Sequence, residues 1–363
     1  MAQIVGSILV FVGTYTDTRS QGIYVLRLNL ETGELTDTGN RAESVNPAFL
    51  TLNTAGDVLY SVNETSTTGT ATSGAVSAFA VDPASGALRF LNQQLSQGTS
   101  PCHLSLGLDG KALFTANYSS GTVTMLPVLA DGRLGEPCST LQHRGKGPNA
   151  QRQEGPHAHS ITPDPASGLL YACDLGLDRI LVYRAVAGAL VPAAPTALAT
   201  RAGAGPRHLA FHPGGLWLYV VNELDSTVSV FTRNDAKDSF GTAEVQGLST
   251  LPAGTAVTSH CADIHVHPNG RFVYASNRGH DSIAVFAIDP ANGTLRALGV
   301  DPVLGKTPRN FALDHSGRWL LAASQDSDVI KVFAVDADSG RLADSGHAVE
   351  VPKPVCARLA PRH

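Results

Sequence analysis

The chain of 363 residues is poor in the features that mark membrane, nucleic-acid and disulfide-stapled proteins. No run of 18 apolar residues occurs, which excludes a membrane-spanning helix. Charged residues are only 16%, the formal net charge is −5, and no basic block is present. Nucleic acid and anionic membranes are therefore excluded as expected partners. The five cysteines, Cys102, Cys138, Cys173, Cys261 and Cys356, are odd in number, widely spaced and free of any Cys-x-x-Cys pair. They offer neither a zinc knuckle nor a disulfide framework, and Cys173 and Cys261 read as packing residues. Residues 4–12 are apolar, but the first basic residue is Arg19 and no small-residue cleavage site follows. This segment reads as a β-strand rather than an export signal, and the expected location is the cytoplasm. No Gly-x-Ser-x-Gly elbow occurs, and the Gly-rich phrases precede strands rather than helices. Serine-hydrolase and dinucleotide-binding readings thus lack their motifs.

Glycine and proline are plentiful, at 36 and 21 residues, and they are dispersed. That favours many tight turns over long helices. One phrase recurs along the chain. It begins at Pro47, Pro101, Pro156, Pro206, Cys261, Pro308 and Pro354. The period is near fifty residues, the range of propeller blades. Each repeat holds a short apolar strand, a turn such as His267-Pro268-Asn269-Gly270, a second strand such as Trp217-Leu218-Tyr219-Val220-Val221, and an alternating third strand such as Thr227-Val228-Ser229-Val230-Phe231. A weaker fourth strand follows. The expected fold is all-β: a seven-bladed β-propeller over 1–363, one domain, with four antiparallel strands per blade. The fragment from Pro354 supplies only a first strand. Residues 9–13, 22–30 and those after Gly33 supply the other three, so the N- and C-terminal segments share the closing blade. The Ala-rich stretch 185–205, broken by Pro192 and Pro195, reads as loop and weak strand.

In an up-and-down blade, the entry to the first strand and the exit from the second lie on one face. Aligned on Pro163, Pro213, Pro268 and His315, the repeats place His157, Arg207 and Arg309 at equivalent positions. His103, His208, Asp263 and Asn310 come next. The second-strand exits read Tyr15, Glu64, Tyr118, Leu175, Glu223, Arg278 and Gln325. Blades pack through apolar faces, so this charged column around one mouth is a candidate site. A polar rim is also what exposure to water alone would select. The preceding column, Asn63, Asn117, Asp174, Asn222 and Asn277, either caps strand-end turns or ligates a metal. His212 and His267 read as turn or inter-blade hydrogen-bonding residues. Two polar insertions, 65–74 and 142–155, belong to the same face. The second carries His143, Arg144, Lys146 and Arg152 and is expected either to cover the mouth or to be a solvated basic loop.

The phrases Gly205-Pro206-Arg207-His208, Val221-Asn222-Glu223-Leu224, Ala262-Asp263-Ile264-His265, Ala275-Ser276-Asn277-Arg278 and Phe311-Ala312-Leu313-Asp314 carry a resemblance. The chain resembles the seven-bladed propeller lactonases, which include bacterial 6-phosphogluconolactonases of the propeller type and fungal carboxymuconate lactonizing enzymes. The resemblance implies a catalytic set of one His, two Arg and a Glu, matched by His157, Arg207, Arg278 and Glu223. His159 competes with His157 for the His role. Expected substrate-binding residues are His159, His208, Asp263, Arg309 and Gln325. No metal and no cofactor are implied. The expected partner is a small anionic lactone, most simply 6-phospho-D-glucono-1,5-lactone, handled by a monomer. A carboxymuconate cycloisomerase or a non-enzymatic binding propeller is the alternative. Chemically, Glu223 would orient or deprotonate water, an Arg would face the oxyanion, and the His would protonate the leaving alkoxide.

Overall fold

The computed structural model describes residues 6–234, 236 and 238–361. They form seven four-stranded antiparallel sheets. Blade 1 spans 50–95, blade 2 101–142, blade 3 158–199, blade 4 206–249, blade 5 260–302 and blade 6 308–350. Blade 7 joins Pro354–Leu359 to Ser7–Thr14, Gly22–Asn29 and Leu35–Glu43, in that order. Its seam pairs Val10 with Leu359, Phe11 with Arg358, Val12 with Ala357 and Gly13 with Cys356. The expected closure of the ring by both termini is therefore observed. A short 3-10 turn, Gln325–Ser327, is the one helical segment among the described residues.

Second strands are wholly buried, as in Val58–Asn63, Ala112–Asn117, Trp217–Asn222 and Trp319–Ser324. A strand covered on both faces reads as a continuous apolar run, and these sequences do. Adjacent blades are also locked by polar contacts of one repeating kind. The hydroxyls of Tyr60, Tyr219 and Tyr274 donate to the carbonyls of Gly132, Gly293 and Gly340 in the outer turn of the next blade, at 3.0, 3.0 and 2.9 Å. Gly293 has φ +76°, and a Cβ there would come within 2.3 Å of the Trp217 ring. Only glycine suits both demands. His212 and His267 reach the carbonyls of Gly270 and Gly317 in the following blades, each at 3.0 Å. Both are inter-blade residues, as expected.

Residues 185–205 hold strand and loop, as expected, but the strand is longer than its prolines suggest: Arg179–Val186 and Ala189–Ala199 form a bulged hairpin, and loop follows over 200–205. Ala189–Ala199 is the outermost strand, where a proline that donates nothing to the ladder is tolerated.

A structural irregularity builds the channel. In six blades the ladder between the innermost strand and its neighbour slips by one residue near its start. The extra residue is Cys102, His159, Arg207, Arg309 or Val355, and in blade 5 it falls within Ala262–Asp263. Such bulges re-aim a side chain. Cys102, Arg207, Arg309 and Val355, with Ala48 of blade 1, line a narrow cavity on the axis. One position deeper, Phe49, His103 and His208 meet across the channel, with ring centroids 4.2 to 5.6 Å apart, and plug it.

Candidate active site

Three layers of residues meet at this mouth. The bulged ring holds Cys102, His159, Arg207 and Arg309. The exits of the second strands add Tyr15, Glu64, Tyr118, Glu223, Arg278 and Gln325. The loop 142–155 adds Arg152. Glu223 is the hub, and only 5% of it is exposed. Its Oε2 accepts from Arg207 Nε at 3.0 Å and lies 2.8 Å from Arg278 Nη2. Its Oε1 accepts from Arg152 Nη2 at 2.7 Å. Burial alone would raise this carboxyl. The Arg278, Arg207 and Arg152 cations outweigh it and hold Glu223 well below the usual carboxylate range. Glu223 is thus a firmly ionised anchor and a weak base.

His159 Nε2 lies 3.9 Å from Glu223 Oε2, and its Nδ1 lies 3.6 Å from Cys102 Sγ. Burial, then the charge of Arg207 and the neighbouring His208, push its pKa well below the ordinary histidine value. It is a neutral imidazole at neutral pH. His157 is placed differently. It lies outside its strand, its ring stacks on Tyr118 at 4.5 Å, and its Nδ1 donates to the Tyr118 carbonyl at 3.1 Å. Its Nε2 faces the exposed Glu154 at 3.3 Å.

The sequence alignment of His157 with Arg207 is therefore corrected. Asp164 pairs with Leu169 as His212 does with Trp217, so Asp164, not Thr162, matches His212 at the start of the turn. Pro163 is the last residue of its strand, while Pro213 lies inside the turn. Aligning the two prolines shifts blade 3 by two residues. A shift of two keeps the strand face, so the error leaves the polarity pattern intact. In the true register His159, Arg207 and Arg309 are equivalent.

His208 and Asp263, expected at the substrate, sit behind Arg207. Arg207 Nη1 donates to His208 Nε2 at 3.2 Å and to the Ala262 carbonyl. Guanidinium only donates, so the His208 proton is on Nδ1. That Nδ1 donates to Asp263 Oδ1 at 2.8 Å. The other Asp263 oxygen accepts from His265 Nε2 at 3.0 Å and from the Asn310 amide. Both carboxylate oxygens are thus occupied by protein donors. Burial and then the Arg207 charge push His208 down to about 4, despite Asp263. Burial, Arg278 and Arg309 lower Arg207 to about 10, which leaves it a cation at neutral pH.

Across the mouth stands a second, smaller group. Tyr15 donates to Glu64 Oε2 at 2.9 Å, and Arg309 lies over the Tyr15 ring, 5.3 Å from its centroid. Burial raises the Glu64 carboxyl, with Arg309 and the Tyr15 hydrogen bond opposing. Gln325 is at the rim, where its amide nitrogen donates to Asp326 at 3.1 Å. Sequence reasoning did not single out Tyr15, Glu64, Tyr118, Cys102 or Arg152 as site residues. The first three stood in its exit column, and Arg152 was one of several loop cations.

The amide nitrogens of the asparagine column donate inside the protein, while the Asn117 and Asn222 oxygens are buried without a partner. Asn222 donates to Thr227 and Ser229, both at 2.9 Å, and Asn63 to Ser44 and the Val45 carbonyl. Asn222 thus bonds across its own strand-end turn, whereas Asn63 reaches back to the segment 44–45. Among the described residues no group of three or more His, Cys, Asp or Glu is arranged to hold a metal.

A seven-bladed propeller with an Arg-clasped carboxylate and a buried neutral histidine in one channel mouth defines a class of small-molecule-handling propellers. The chain belongs to the lactonase family of seven-bladed β-propellers, whose family model matches residues 9–359. It is 38% identical to the 6-phosphogluconolactonase of Bacillus subtilis, over 96% of this chain and 97% of that one. It is 33% identical to the 6-phosphogluconolactonase of Formosa agariphila, over 84% and 86%. Among solved structures it resembles the periplasmic gluconolactonase of Pseudomonas aeruginosa, with a TM-score of 0.90, 34% identity, and 98% and 99% of the two chains covered. No helix among the described residues is long and apolar enough to cross a membrane.

Proposed function

We propose that this chain hydrolyses 6-phospho-D-glucono-1,5-lactone to 6-phosphogluconate, as a monomer in the cytoplasm. Relatives of that name match along nearly the whole chain. The observation that carries the chemistry is Glu223, clasped by Arg207, Arg278 and Arg152 beside the neutral His159. The cytoplasmic part rests on five unpaired cysteines, four of them buried. The monomer rests on large exposed apolar residues, such as Leu108, Val245 and Leu304, that come from different blades.

The roles follow from charge and protonation. Water beside His159 Nε2 gives its proton to that nitrogen as its oxygen bonds to the lactone carbon. The carbonyl oxygen gains the electron pair, and Arg207 and Arg278 face the developing negative charge. Collapse breaks the bond to the ring oxygen, and the imidazolium returns the proton to the leaving alkoxide. The acid product then ionises. Glu223 holds the two arginines in place and offsets their mutual repulsion. In this assignment His159 takes the acid–base work first expected of Glu223 and His157.

The test is a lactonase assay, corrected for spontaneous hydrolysis and run beside 3-carboxymuconate. Glu223→Gln should lower kcat by about 100-fold and change KM less, since the loss falls on transition-state stabilisation. Full activity in that variant removes Glu223 from the mechanism. Turnover of the muconate instead of the lactone selects the cycloisomerase.

A further inference from the structure

We propose that Arg309 is the anchor for the substrate's phosphate and sets the preference for phosphorylated over free lactones; this rests on the phospholactone reading above. Arg152, Arg207 and Arg278 all pair with Glu223. Arg309 makes no hydrogen bond and no ion pair among the described residues. It packs on the face of the Tyr15 ring and feels the charges of Glu64 and Glu223 without bonding to either. Yet it lines the axial cavity together with Glu64, Cys102 and Arg207. Its half-buried guanidinium has no acceptor within hydrogen-bond reach, so its fork is free to receive an anion.

Charge and placement agree. Four arginines face two carboxylates at the mouth, Glu223 and Glu64, and burial weakens the ionisation of Glu64. The mouth is thus electropositive by about two charges on a chain whose net charge is −5. A phosphate monoester carries about −1.5 to −2 near neutral pH. Around the ring, blade 5 separates Arg309 of blade 6 from Arg207 of blade 4, and His159 of blade 3 is one blade further. The small side chain of Ala262 lies between Arg207 and Arg309. In this assignment a six-carbon lactone turns its carbonyl toward Arg207 and its phosphate, at the other end, toward Arg309.

The experiment measures kcat/KM for 6-phosphogluconolactone and for glucono-1,5-lactone in the wild type, Arg309→Met and Arg309→Lys. Arg309→Met should lower the ratio of phosphorylated to free lactone by about 10- to 100-fold, mostly through KM, since a charged hydrogen-bond pair is lost. Arg309→Lys should fall between, because it keeps the charge without the fork. It also serves if the methionine variant fails to fold. Equal losses on both lactones, or no loss on either, would overturn the assignment. Inorganic phosphate binding by calorimetry separates this proposal from the one it rests on. A wild type inactive on the phospholactone sinks the earlier reading. Arg309 still stands if phosphate binds the wild type at least tenfold more tightly than Arg309→Met, and falls if it does not.

Discussion

His159 and His157 differ by two positions and by nearly everything else. One is in the bulged ring, 3.9 Å from Glu223; the other is stacked on Tyr118 outside its strand. His159→Gln should therefore lower kcat by about 100-fold or more, and His157→Gln by much less. Equal losses, measured with the same lactone, would return the role to His157. His208 carries a separate consequence. Its folded pKa is depressed to about 4 from 6.5, so the unfolded chain binds more protons between those values. The stability that neutral His208 contributes, about 3 kcal/mol, is present above pH 6.5 and is lost as pH falls toward 4. Asp263 and Glu223, both depressed, add losses in the same direction at lower pH; Glu64, raised, opposes them. Tm recorded from pH 7 to 4 should fall, with a shallower slope in His208→Gln. A flat wild-type profile would contradict a buried neutral His208.

Among the elements, the loop 142–155 does two jobs. Its ends are tied down: His143 Nδ1 lies 2.6 Å from Asp174 Oδ2, and Gln153 donates to Asp178 and the Leu175 carbonyl. Arg152 enters the mouth, while Arg144 and Lys146 are exposed. Of the two readings of this loop, its exposed Arg144 and Lys146 match the solvated basic loop, while Arg152 alone reaches into the mouth. Arg152→Ala should raise KM by about 3- to 10-fold at low and at high salt, since the contact with Glu223 is short and partly buried. Arg144→Ala with Lys146→Ala should raise KM less, and only at low ionic strength, because exposed charges are screened. A salt-independent effect of the double variant would refute steering. The bulges were illegible in sequence for a plain reason. A one-residue insertion in a ladder leaves no mark when the residues around it vary. The length of the outer strand Ala189–Ala199 was underestimated because its prolines read as breakers, and only its edge position permits them.

The whole ring depends on its seam. A chain ending at residue 353 would lose the buried Val355, Cys356 and Ala357 and leave Ser7–Thr14 as an unpaired edge. Its Tm should fall by more than about 10 °C, and it should aggregate on heating. An unchanged melting curve would show that six blades and a fragment suffice.

Much of this was decided by sequence alone. A fifty-residue period, alternating strands and a lone first strand at Pro354 specify seven blades and their closure, because each strand type carries its burial in its own residues. The exit column, with Glu223 and Arg278, follows from the same local pattern. The tertiary structure decided which histidine faces Glu223, that Arg152 completes its clasp, that His208 and Asp263 stand behind Arg207, and that Arg309 is left without an acceptor. These depend on ladder slips and on contacts between blades about fifty residues apart or more. Periodicity places a residue on a strand, but the closed ring determines what stands across the channel from it.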